Sequence, residues 1–272
     1  MNIIMTILIL LAVLLSGCSS IKVDNSPAND FTFELNQEKN IPCKCEYQKT
    51  KKYPNKNRDR YQLMAKNYFY YAIMSNNASN EDQYKVPGWE KIDVVEDKYG
   101  FYAQIYESED KGKIVIAIQG SKDIADWKTN FSTCKNGQYN IIDRVFDKII
   151  NEYNSHKVEV TGHSLGGGLA INLALTKKNV DAIVFNPSAK FCVEKKNRNT
   201  ESKIIVISES GEFNRGLNKV FPSAKDVYNE YYRPNYLGGF FIGEHHMLLL
   251  TKCMVAAATL SDKEYRNRCS KK

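Results

Sequence analysis

Apolar positions recur along this chain with two periods, and the switches between them outline helices and strands. Tyr61 to Met74 spaces its apolar residues at i, i+3 and i+4. Asn140 to Tyr153 does the same through Ile141, Ile142, Val145, Phe146, Ile149, Ile150 and Tyr153. Both stretches predict amphipathic helices. Between them, Ile92 to Val95 and Phe101 to Tyr106 flank Lys98-Tyr-Gly100, which predicts a hairpin. It leads into Ile114 to Ile118, apolar at every position and so a strand buried on both faces. A β-branched run from Val158 breaks at Gly162, and Leu165 to Leu175 continues as a helix with small residues. Asp181 to Phe185 and Lys203 to Ser208 read as further strands, and Met247 to Leu260 as a last helix. That helix carries Lys252 and is too short for a membrane span, so it is expected to dock on the domain. Strands alternating with helices over about 210 residues predict one α/β domain, a mostly parallel central sheet flanked by helices.

The amino end departs from this pattern. Ile3 to Leu15 is a short apolar run ending in Leu15-Ser16-Gly17-Cys18, which resembles a bacterial lipobox. Residues 1–17 are therefore expected to be a lipoprotein signal peptide and Cys18 the lipidated first residue of the exported chain. No Lys or Arg precedes the apolar run, so the amino terminus alone supplies the positive charge. Ser19 resembles signals for the outer membrane, and the expected location is the cell envelope. Residues 18–59 lack a period and contain Pro27, Pro42 and Pro54 among many Asn and Lys, as a tether and irregular arm would. The domain is then 60–272. From 39 to 66, nine Lys or Arg face only Glu46 and Asp59, a local balance equal to the whole chain's net charge of +7. Such a run suits a solvated face or attraction to anionic headgroups, at about 1 kcal/mol per basic residue. Nucleic acid is not an expected partner, because no reading motif follows and an export signal precedes.

The break at Gly162 introduces candidate chemistry. Gly162-His-Ser-Leu-Gly166 places Ser164 on a sharp turn between a strand and a helix, where the glycines leave room for tight packing. The helix amino terminus favours negative charge developing beside the serine. A serine so placed is suited to attack a carbonyl.

Gly162 to Ala170, together with Ile114-Val-Ile-Ala-Ile-Gln-Gly-Ser121 and the Asp126-Trp127 pair, resembles the class 3 lipases, a branch of the α/β-hydrolase fold. The resemblance covers roughly residues 60 to 260. It implies that the Ser121 amide, with its hydroxyl, joins the Leu165 amide as the oxyanion-binding pair. It also implies the triad order Ser, acid, His. Of the four histidines, His156 precedes the serine and His163 lies within the elbow, which leaves His245 and His246 as bases. Comparable families place an apolar residue two positions after the histidine, favouring His245. The acid should follow the strand ending near Ser208, and here the family's usual aspartate is missing. Glu212-Phe213 fits the family motif best, with Asp226 and Glu209 as alternatives. Asp181, at the start of its strand, falls at the opposite edge.

Seven cysteines include Cys18; the other six, Cys43, Cys45, Cys134, Cys192, Cys253 and Cys269, permit fifteen disulfide connectivities. At least one bridge between arm and domain is expected, whereas Cys253, on an apolar helix, reads as a buried thiol. Cys43-Lys-Cys45 has the wrong spacing for a zinc site, and no metal or other cofactor is expected. The combined reading is a membrane-anchored serine acyl hydrolase acting on lipid or phospholipid esters. The alternative is a surface lipoprotein that keeps a catalytically degenerate hydrolase scaffold as a binding module.

Overall fold

The computed structural model describes residues 56–79, 83–97, 100–120, 137–154, 156–188, 193, 197–209, 229–232, 234, 247–261 and 263. Along them run α1 (Lys56–Ser79), β1 (Trp89–Glu96), β2 (Tyr102–Ser108), β3 (Lys113–Ile118) and α2 (Gly137–Glu152). There follow β4 (Lys157–His163), α3 (Leu165–Thr176), β5 (Val180–Phe185), β6 (Ile204–Ile207), β7 (Glu230–Tyr232) and α4 (Met247–Thr259). The seven strands form one sheet in chain order. β1, β2 and β3 pair antiparallel, and β3 through β7 pair parallel.

Helices cover both faces, which explains the continuous apolar runs. Ile114, Ile116 and Ile118 of β3 pack with α2 and α3, while Val115 and Ala117 between them pack with α1 and α4. β5 and β6 divide in the same way: Ala182, Val184, Ile204 and Val206 face one layer, and Ile183, Phe185, Ile205 and Ile207 the other. All side chains on these strands except Lys113 and Asp181 near the strand starts leave water, so alternation disappears from the sequence. β4 is the exception. Its Val158 and Val160 join the α2–α3 layer, but Glu159 and Thr161 are buried against α1. There the Tyr71 hydroxyl donates to Glu159 Oε2, and the hydroxyls of Ser75 and Thr161 lie 2.9 Å apart. Burial, and then the Glu159 carboxylate, push the Tyr71 phenol up, so it remains a neutral donor.

These contacts orient the helices. Tyr71 and Ser75 follow α1 in the direction in which Glu159 and Thr161 follow β4, so α1 ends toward the carboxyl edge of the sheet. α4 runs back along it: Thr251 Oγ1 donates to the Ala72 carbonyl at 3.1 Å, and Gln62 Nε2 to that of Leu260 at 3.3 Å. The amino terminus of α4 therefore also lies at the carboxyl edge. No helix among the described residues is long and apolar enough to cross a membrane.

Several expectations need adjustment. α1 reaches Ser79, beyond its apolar stripe, because Asn77 is buried as a polar bracket: its Nδ2 donates to the Tyr84 carbonyl and its Oδ1 accepts from the Tyr84 amide. α1 also begins at Lys56, ahead of the expected domain start at 60. β7 is only three residues long, too short for a periodic signature. Cys253 is disulfide-bonded rather than a free thiol, its partner lying outside the described residues. Burial on an apolar helix suits a half-cystine as well as a thiol.

Candidate active site

The parallel register brings four strand exits level. Ile118 pairs with Gly162, His163 with Phe185, and Phe185 with Ile207. The residues that follow these exits share one edge of the sheet, the place where open α/β sheets bind ligands. Ser164 follows β4 there.

Ser164 has φ 54° and ψ −119°, outside the regions an L-residue favours, and its side chain makes no cap hydrogen bond to α3. Such a conformation costs on the order of 1–3 kcal/mol and persists only where its surroundings impose it. Here three backbone hydrogen bonds do so. The Ser164 amide donates to the Phe185 carbonyl at 3.2 Å, and the Ser164 carbonyl accepts from the Gly168 amide at 3.1 Å and the Ser188 amide at 2.8 Å. Glycine makes the turn possible. A β-carbon on Gly166 would stand 2.2 Å from the Ile118 carbonyl oxygen, and one on Gly162 would stand 2.5 Å from the Gly166 carbonyl carbon. The first turn of α3 thus lies against the exit of β3, which Gln119 and Gly120 separate from Ser121 in sequence. Leu165 opens α3, so its amide precedes the first intrahelical bond and is available to an anion.

Glu209 follows β6 at the same edge, 1% exposed. Its amide donates to Asn186 Oδ1 at 2.9 Å, and the Asn186 amide donates to the Ile207 carbonyl at 3.0 Å. Asn186 has φ 40° and is fully buried. Met247, the first residue of α4 and the residue after His246, lies at this edge through the pairing of α4 with α1. Asp181 is at the amino edge, where it accepts from Lys157 Nζ at 2.8 Å and from the Lys203 amide at 2.7 Å.

Of the residues selected from sequence, Ser164, Leu165 and Glu209 are therefore at one edge. Ser121, Glu212, Asp226, His245, His246 and Cys18 lie outside the described residues, as does the basic arm up to Asn55. Sequence reasoning missed Asn186 and Ser188. Their available signal was Asn-Pro-Ser directly after a buried strand, since asparagine tolerates the left-handed turn.

Residues 71–198 match the phospholipase-like family model described as the Tle-like phospholipase domain. The matched segment runs from α1 through Ser164 to beyond β5. Together with the mostly parallel sheet, its two helical layers and the turn between β4 and α3, it defines an α/β-hydrolase fold. No curated protein sequence matches the chain. Solved structures similar to it include Lip2 lipase from Yarrowia lipolytica, at 17% identity over 56% of this chain and 72% of that one, with a TM-score of 0.41. A Rhizomucor miehei lipase–propeptide complex shows 18% identity over 58% and 65%, with a TM-score of 0.46. A triacylglycerol lipase from Penicillium expansum shows 15% identity over 63% and 78%, with a TM-score of 0.44.

Proposed function

We propose that this protein is a serine acyl hydrolase that cleaves carboxylic esters of lipids or phospholipids through an acyl-enzyme. One observation carries the reading: Ser164 is held at positive φ between β4 and α3 with its hydroxyl kept out of helix capping. Ser164 Oγ attacks the ester carbonyl while His245, or its neighbour His246, takes the proton. The developing oxyanion is held by the amides of Leu165 and Ser121, each worth about 3 kcal/mol. The alcohol leaves with the proton from the histidine, and water, deprotonated by the same histidine, releases the acid and restores Ser164. A carboxylate from the loop after β6 orients the imidazole; Glu212 is the first choice, followed by Asp226 and Glu209. Burial and its tether to Asn186 favour a role for Glu209 at this edge, either as that acid or as the start of the loop that supplies it.

Lipid as substrate is supported by the phospholipase-like family model, and membrane anchoring by the Cys18 motif and the basic run before the domain. The test is release of fatty acid from phospholipid vesicles and from a triglyceride emulsion by wild type and Ser164→Ala. Ser164-dependent release from either supports the reading. Absence of release by the folded wild type from both, and from a short-chain ester, contradicts it in favour of a binding module. Separately, Cys18→Ser is expected to move the protein out of the membrane fraction; unchanged fractionation contradicts lipidation.

A further inference from the structure

We propose that Asn186 is a positioning residue that couples the nucleophile turn to the acid-bearing loop, an inference that rests on the hydrolase reading above. Two strand exits must be held in fixed relation if a serine after β4 and a carboxylate after β6 are to serve one histidine. The strand between them, β5, ends at Phe185, whose carbonyl accepts from the Ser164 amide at 3.2 Å. Asn186 then turns the chain at φ 40°. Because of that turn its amide still extends the ladder to Ile207, at 3.0 Å, while the chain doubles back and the Ser188 amide meets the Ser164 carbonyl at 2.8 Å. The Asn186 side chain points the other way and accepts from the Glu209 amide at 2.9 Å.

Residues 186 to 188 thus grip Ser164 on one side and the first residues after β6 on the other. Asparagine is suited to the position twice over. It is among the few residues other than glycine that tolerate a left-handed backbone, and its carboxamide oxygen can satisfy a buried amide without bringing in a charge. The Glu209 amide would otherwise lose a hydrogen bond in a place that water does not reach. Displacement of a catalytic group by about 1 Å can lower a rate by about a hundredfold. A residue that fixes the carboxylate relative to the serine therefore changes turnover without touching substrate.

The test is a pair of double-mutant cycles read by kcat and KM on p-nitrophenyl butyrate with the full-length protein. Asn186→Gly keeps the backbone conformation and deletes the acceptor. It is combined in turn with Glu209→Gln and Glu212→Gln. Asn186→Gly is expected to lower kcat by about tenfold to a hundredfold with KM changed by less than about threefold. It is also expected to lose most of that effect once the operative carboxylate is already gone. Additive losses with both glutamate variants, or an unchanged kcat, overturn the inference while leaving the hydrolase intact. A folded wild type without activity overturns the hydrolase reading, and this inference with it. If Asn186→Gly does not fold, Asn186→Ser, which shortens the side chain beyond reach of the Glu209 amide, takes its place. Failure of that variant to fold as well overturns the coupling role in favour of a purely structural one.

Discussion

At the amino edge of the sheet, Lys157 places its ammonium 2.8 Å from Asp181 and 3.1 Å from Glu159, and Lys203 lies 2.6 Å from Glu230. Glu107 accepts from Lys111 and stands 3.1 Å from His156 Nε2. At the carboxyl edge the same strands end in Ser164 and Asn186, both at positive φ, and in a buried glutamate. The charged groups of the amino edge are engaged with one another. The polar groups of the carboxyl edge are fixed chiefly through backbone amides and carbonyls, which leaves the Ser164 hydroxyl uncommitted to its helix. Charges at one edge support the fold, whereas backbone geometry at the other holds the serine proposed as nucleophile.

The strongest way to break this contrast is to remove the space beneath the turn. Gly166→Ala would drive a methyl group into the Ile118 carbonyl and is expected to cost about 3 kcal/mol or more, with loss of activity. Urea unfolding with an ester assay checks it; a stable, active Gly166→Ala protein would show that the close approach is not required.

The next effect tests the opposite edge. Glu159→Ala removes the acceptor of the Tyr71 hydroxyl and a partner of Lys157. It is expected to cost about 1–3 kcal/mol of stability, with kcat per folded molecule unchanged. A proportionate fall in kcat would mean that the two edges are not separable.

Acidification sharpens the same division. The Lys111 ammonium holds Glu107 below the usual carboxylate range, and Lys203 does the same for Glu230. A carboxyl whose pKa is depressed by folding contributes stability above its unfolded value and loses it as pH falls through the folded value. At the other extreme, Asp181 raises the pKa of Lys157, so its contribution is present below the ordinary lysine value and lost as pH rises through the folded one. Unfolding midpoints are therefore expected to decline as pH falls through the carboxylate range and below it, and as pH rises through the lysine range and above it. A midpoint that stays level through the carboxylate range contradicts the acidic half of this account. The surface pairs make the effect modest.

The smallest expected change is at Ser188, whose amide holds Ser164 while its buried hydroxyl has no hydrogen-bond partner among the described residues. Ser188→Ala keeps the amide and removes the unsatisfied group, so stability should stay level or rise by about 1 kcal/mol. Clear destabilisation in the same unfolding assay would assign the hydroxyl a role.

The division between the edges also explains what the sequence disclosed. Ile114 to Ile118 and Asp181 to Phe185 were legible as strands because burial on both faces leaves apolar runs, and Val158 to Thr161 because its β-branched residues lead into the break at Gly162. Ser164 was legible because the turn requires glycines at fixed offsets. Asn77 and Asn186 were not, since a buried asparagine looks in sequence like a surface one until its amide partners are known. β7 escaped because three residues at a sheet edge are too few to carry a periodic signal. Asp181 stands at the amino edge, as its position at a strand start predicted, an argument from polarity of the sheet rather than from residue type.

Reaction of the folded protein with a fluorophosphonate probe, followed by intact mass and peptide mapping, tests the central claim most directly. Wild type is expected to gain a single adduct on Ser164, lost in Ser164→Ala and strongly slowed in one of His245→Ala and His246→Ala. A folded wild type that gains no adduct, or an adduct that persists in Ser164→Ala, would contradict an activated serine at this turn.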